Sequence, residues 1–206
     1  MSQFFYVHPE NPQKRLIQQA CEIIKQGGVV VYPTDSGYAI GCQVGNKSAL
    51  ERICRIRQLE LDHDFTLVCS ELSELSTYAR VENQTFRMLK NSVPGPYTFI
   101  LKATREAPKL LQNKKKKTIG LRVPDNKITL DLLACLAEPI MSSTLILPGK
   151  EFAEADPEEI RDALEHQVDL IIHGGNLSET PTSVIDMSED EVVVLREGNG
   201  DISAFV

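Results

Sequence analysis

A β-branched run that stops against a proline constrains this chain more than any other stretch: Gly27-Gly28-Val29-Val30-Val31-Tyr32-Pro33, followed at once by Thr34-Asp35-Ser36-Gly37-Tyr38. Bounded by Gly and Pro, the run reads as a buried strand inside a sheet. Pro33 has no N–H to give to a ladder and is expected to end it. Thr34, Asp35 and Tyr38 then stand at a strand's end, which in open α/β sheets is where ligands bind. The same short polar residues beside a glycine also suit an ordinary capped turn, so the residues alone leave both readings open.

At 206 residues, with 42% hydrophobic and 25% charged side chains, the chain is expected to form one domain over residues 1–206. No apolar run approaches the roughly 20 residues that span a bilayer, and Met1-Ser2-Gln3-Phe4-Phe5-Tyr6 lacks the regions of a signal peptide. A cytoplasmic protein without a membrane partner is the expectation. Five cysteines, an odd number without C-x-x-C spacing, point to buried thiols and to neither a disulfide framework nor zinc. A net charge of -7 argues against non-specific nucleic-acid binding by the whole surface, so any anion site must be local.

Periodicity predicts the remaining elements. Asn11-Pro12 is expected to cap and open a helix whose Leu16, Ile17, Ala20, Cys21, Ile23 and Ile24 share a face until Gly27. A second helix starts near residues 46–48, with Ser48 and Glu51 fitting a capping box and Leu50, Ile53 and Cys54 buried. Strands are expected over 65–69, 97–103, 118–123, 139–144, 168–172, 183–187 and 192–196. Helices are expected over 71–78, 83–91 and 128–137, and from Asp156-Pro157-Glu158-Glu159, where cap, proline and third-position Glu coincide. Strands and helices mix without strict alternation, which predicts a twisted mixed sheet with flanking helices and not a purely parallel one.

The common phosphate-loop, dinucleotide, nucleophile-elbow and zinc-helix motifs are missing. His63 between Asp62 and Asp64 has no further spaced ligand, and no metal site is assigned to it. Arginines carry more information. Arg57 closes the apolar stripe of the second helix while Arg55 points elsewhere; Arg122 sits among apolar residues in Gly120-Leu121-Arg122-Val123-Pro124, and Arg196 ends Val192-Val193-Val194-Leu195. An arginine at the end of a buried strand needs an anion, either a ligand's phosphate or carboxylate or the chain's own Asp or Glu. Ser142-Ser143-Thr144 and Thr182-Ser183 place hydroxyls at strand boundaries, where they can hold a ligand or turn the backbone. Lys114-Lys115-Lys116-Lys117 reads as a solvated loop or a contact for phosphates.

In this order, with Pro94-Gly95-Pro96-Tyr97, Pro181-Thr182-Ser183-Val184-Ile185-Asp186 and Leu195-Arg196-Glu197-Gly198, the blocks resemble the YrdC-like family of threonylcarbamoyl-AMP synthases, nearest its YciO branch, over nearly the whole chain. The resemblance implies a YrdC-like α/β fold with a basic concave cleft. It implies formation of threonylcarbamoyl-AMP and pyrophosphate from L-threonine, bicarbonate and ATP, with Mg2+ accompanying ATP, as a step of tRNA adenosine modification. By the same resemblance Thr34, Arg122, Ser142 and Ser183 hold threonine, Thr118, Thr144 and Arg196 hold the nucleotide, and the family's catalytic Lys-x-Arg pair is replaced by Arg55-Ile56-Arg57 or, in another register, by Arg57-Gln58-Leu59. Two departures are visible: arginine replaces that lysine, and Ile146 stands where the family carries an asparagine. They leave room for an alternative, a non-catalytic paralogue that binds nucleotide, tRNA or double-stranded RNA.

Overall fold

The computed structural model describes residues 1–60 and 63–206; Leu61 and Asp62, and with them part of the Asp62-His63-Asp64 triplet, lie outside the described residues. The strands are β1 (Gln3–Tyr6), β2 (Val30–Thr34), β3 (Gly37–Gln43), β4 (Thr66–Val68), β5 (Tyr97–Lys102), β6 (Thr118–Arg122), β7 (Ile140–Thr144), β8 (Leu170–His173), β9 (Ser183–Asp186) and β10 (Val193–Arg196). They join in one sheet of order β1-β8-β2-β3-β7-β4-β6-β5-β9-β10. Parallel pairs such as β2 with β8 and β4 with β6 mix with antiparallel pairs such as β2 with β3 and β5 with β6, so the expected mixed α/β sheet is present. The helices are α1 (Lys14–Lys25), α2 (Lys47–Arg57), α3 (Leu72–Tyr78), α4 (Asn83–Ser92), α5 (Lys127–Leu136) and α6 (Pro157–Leu164). None is long and apolar enough to cross a membrane among the described residues.

Several boundaries depart from expectation for identifiable reasons. Pro33 does not end β2 but pairs with Tyr38 of β3. The N and O of Tyr38 are turned away from it, to Glu154 O and Leu145 N, so that pairing needs no donor from Pro33. On the other side β8 pairs only with Val30 and Val31, and the missing N–H interrupts no ladder. Helix α1 begins after Gln13, not at Pro12, because Asn11 N and Glu10 N donate to His8 Nδ1 in a turn of their own. Helix α2 is capped by Asn46, whose side chain accepts from Ala49 N, and not by Ser48. Strands β1 and β3 were not expected, whereas Asp156 caps α6 through Glu158 N as the sequence predicts.

Alternation along the strands splits the core between the two faces of the sheet. Val31, Ile40, Leu67, Phe99, Leu121 and Met141 pack on one face with Leu50, Ile53 and Cys54 of α2 and Ile160 of α6. Val30, Tyr32, Ala39, Leu170 and Ile172 pack on the other with α1 and α5. Each fully buried aliphatic side chain contributes about 1.5–3 kcal/mol relative to exposure. Towards β6, β5 and β9 this second face carries Thr98, Ile100, Thr118, Gly120, Val184 and Asp186 in place of a continuous aliphatic layer. Among the described residues no helix covers this hydroxyl-bearing half of the face, and it is the floor of a cleft.

Candidate functional site

The cleft encloses about 410 Å³, within the range of small-molecule sites. Its floor includes Thr66, Thr98, Thr118 and Gly120, drawn together by the pairing of Thr66 and Ile100 with Gly120 and of Lys102 with Thr118. Gly120 has no left-handed backbone angle, and a Cβ built on it would meet nothing closer than Thr66 Oγ1 at 3.6 Å. Neither sterics nor conformation demands glycine there; its effect is to keep the floor low.

Two arginines face this space from opposite elements. Arg57, at the end of α2, donates from Nε to Ile146 O at 3.0 Å and from a terminal nitrogen to Ser143 Oγ at 2.5 Å. Arg196, at the end of β10 and more exposed, donates to Thr182 O at 2.9 Å and Thr182 Oγ1 at 3.0 Å. All four acceptors are neutral, and neither guanidinium pairs with a carboxylate among the described residues. Burial lowers the pKa of both, and for Arg196 the nearby Arg122 adds to the effect. Two partly desolvated cations that pair with no carboxylate among the described residues form a seat for an anion. Lys116 joins the lining, but so do Asp64 and Asp186, so the cleft carries both signs of charge.

Beside it lies a second cluster, organised by the two-residue turn between β2 and β3. Gly37 adopts φ +91, and a Cβ there would stand 2.8 Å from that of Ala153, so the turn requires glycine for both reasons. Thr34 Oγ1 donates to Gly37 O at 2.6 Å and accepts from Ser36 N at 3.1 Å. One terminal nitrogen of Arg122 reaches Thr34 Oγ1 at 3.2 Å, Ser36 Oγ at 2.7 Å and the Asp35 carboxylate. Asp35 Oδ2 also accepts from Asp125 N at 2.8 Å. Arg122 is 7% exposed in its side chain, and its Nε is buried without an acceptor. Nearby, Tyr32 donates to Ser142 Oγ at 2.6 Å; burial pushes the Tyr32 phenol up to about 12, so it stays a donor near neutral pH.

The residues expected to form a site therefore divide. Arg57, Thr118, Thr144 and Arg196 line the cleft. Thr34, Arg122 and Ser142 cluster next to it, largely bonded among themselves and their neighbours. Arg55 is exposed on the other side of α2 and does not line the cleft, two residues from Arg57 and therefore about 200° around the helix. Ser183 is completely buried, and its hydroxyl donates to Gly200 O while accepting from Gly198 N and Gly200 N. One donor and two acceptor positions are thereby spent on fastening residues 198–200. Of the lysine run, all four residues are exposed and only Lys116 lines the cleft. Thr66, Thr98 and Asp186 were not singled out as site residues; it is the register of β4, β6, β5 and β9 that puts them on the cleft face together.

The family model for Sua5, YciO and YrdC proteins, described as "Telomere recombination", matches residues 22–198. This chain belongs to the Sua5/YciO/YrdC family. Among the family's members it is 64% identical to an uncharacterized protein of Haemophilus influenzae and 62% identical to YciO of Escherichia coli K12, with 100% of both chains covered in each case. It is 28% identical to the threonylcarbamoyl-AMP synthase of Vibrio vulnificus over 187 residues, 88% of this chain and 98% of that one. The crystal structure of E. coli YciO matches with a TM-score of 0.96, 62% identity and full coverage of both chains. Sua5 of P. abyssi, solved in complex with L-threonine, matches with a TM-score of 0.85 and 24% identity over 95% of this chain and 57% of that chain, a likeness of fold.

Proposed function

We propose that this protein is a threonylcarbamoyl-AMP synthase, joining L-threonine, bicarbonate and ATP in the supply of a tRNA adenosine modification. The observation that carries the proposal is the pair Arg57 and Arg196, two guanidiniums bonded among the described residues to neutral oxygens and facing one cleft floored with threonines. A triphosphate satisfies both, and the distant synthase relatives supply the reaction.

In this reading the threonine amine and bicarbonate form a carbamate with loss of water. A carbamate oxygen then attacks the α-phosphorus, and pyrophosphate leaves with the electrons of the broken P–O bond. Arg57 and Arg196 hold phosphate oxygens through charge-assisted hydrogen bonds, while Thr118 and Thr144 offer hydroxyls from the floor and wall. Arg122 takes the amino-acid carboxylate, with Thr34 and Ser142 shaping its surroundings. Mg2+ arrives with ATP and shares the charge of its phosphates. Rate comes from positioning and charge neutralisation. The cytoplasm, where ATP is available, is the compartment this reading requires.

The test is pyrophosphate release from ATP-Mg and bicarbonate with and without L-threonine. Threonine-dependent release by the wild type, absent from the Arg57→Ala, Arg196→Ala double variant, is expected. Release no greater than that of the double variant would refute the proposal.

A further inference from the structure

We propose that Asp35 is the specificity-determining residue of the amino-acid half: locked onto Arg122, it restricts that seat to zwitterions, admitting an α-amino acid and turning away a bare carboxylate. The inference rests on the synthase reading for the location of the amino acid, but its argument is the local geometry. Arg122 does not stand as an open cation. One of its terminal nitrogens is shared among Asp35, Thr34 and Ser36, and Asp35 is fixed in turn by Asp125 N through its other oxygen. The donors left over are the other terminal nitrogen, which makes no hydrogen bond among the described residues, and Nε, buried and without an acceptor. A buried donor in that state is a standing demand for a ligand oxygen.

An oxygen that answers it lies next to a second carboxylate. Nε and the terminal nitrogens belong to one small planar group, so an anion on either unbonded nitrogen sits close to the Asp35 carboxylate, which is 11% exposed and poorly screened by water. Like charges at that separation disfavour a ligand that carries only a carboxylate. An α-amino acid carries its own remedy, because its ammonium is two bonds from the carboxylate carbon and can stand against Asp35. A carboxylate offers about four acceptor positions, and the contacts above use two of those on Asp35. Asn199 supports the arrangement by donating to Asp35 O at 3.1 Å, from the loop that Ser183 fastens.

Calorimetry on the full chain tests this with three ligands: L-threonine, 3-hydroxybutyrate, which lacks the amine, and 1-amino-2-propanol, which lacks the carboxylate. The wild type is expected to bind threonine at least about tenfold more tightly than either fragment-like analogue. In Asp35→Asn, which keeps an acceptor for Asp125 N, threonine is expected to weaken about tenfold or more while 3-hydroxybutyrate tightens, so that the preference disappears. The inference is overturned if 3-hydroxybutyrate matches threonine on the wild type, a comparison that needs no variant, or if Asp35→Asn keeps the preference. Threonine selectivity without pyrophosphate release removes the synthase reading and leaves this role of Asp35 standing. Failure of the wild type to bind any α-amino acid while ATP binds overturns both.

Discussion

The two halves of the site answer the same problem, a partly desolvated cation at the end of a helix or strand, in opposite ways. Arg122 is buried and compensated by the chain's own Asp35, whereas Arg57 and Arg196 lean on neutral oxygens and face open space. A buried guanidinium that waits for a ligand has to be neutralised meanwhile, because the desolvation of an unpaired charge is too costly. A guanidinium at a cleft wall keeps part of its hydration and can wait unpaired. The first half is therefore part of the fold as well as of the site, and the second is separable from the fold.

That difference predicts which substitutions damage which property. Replacing both Arg57 and Arg196 by Ala removes two charge-assisted anchors worth about 1.5–3 kcal/mol each, so ATP binding should fall by a hundredfold or more. Urea denaturation should register only the lost neutral contacts, about 1 kcal/mol for each arginine. Arg122→Met reverses the pattern. It leaves Asp35 with a buried, unpaired charge, and the expected loss of stability is about 3–5 kcal/mol. If urea titration shows Arg122→Met to be as stable as the double variant, the distinction between a compensated and an open half is wrong.

The sequence made parts of this contrast legible and hid others. Helical spacing separates Arg57 from Arg55, because a 3.6-residue period decides which of two residues two apart continues a buried stripe. Strand β2 and the cap at Asp156 follow from local chemistry in the same way. Strand β3 did not, since Gly37-Tyr38-Ala39-Ile40-Gly41-Cys42 carries two glycines and reads as a loop until β2 and β7 pair with it. The identity of Arg122's partner was equally hidden. Ligand and chain carboxylates satisfy an arginine alike, and only the turn geometry at Gly37 brings Asp35 within reach, 87 residues away.

Ser183 sharpens the point, because only the fold brings residues 198–200 to its hydroxyl. Ser183→Ala strands Gly198 N and Gly200 N at a buried position, and a cost of about 1–3 kcal/mol is expected. Since Asn199 rests on Asp35, the same change should raise hydrogen exchange over residues 196–201 and weaken threonine while leaving ATP nearly untouched. An equal loss for both ligands would show the halves to be coupled.

The smallest effect belongs to Gly120. A Cβ there finds Thr66 Oγ1 at 3.6 Å and Thr98 Cγ2 at 3.8 Å, ordinary contact distances, and the backbone angle suits any residue. Gly120→Ala should therefore leave stability unchanged or raise it by about 0.4–1 kcal/mol through the unfolded chain. The methyl group nevertheless stands on the cleft floor between two hydroxyl-bearing strands. If the nucleotide lies against that floor, its affinity should fall several-fold in Gly120→Ala and further in Gly120→Val, with threonine binding unaffected. An ATP affinity indifferent to both substitutions would place the triphosphate off the floor, on the rim where Arg196 and Lys116 stand. The open half would then be a surface groove and not a pocket.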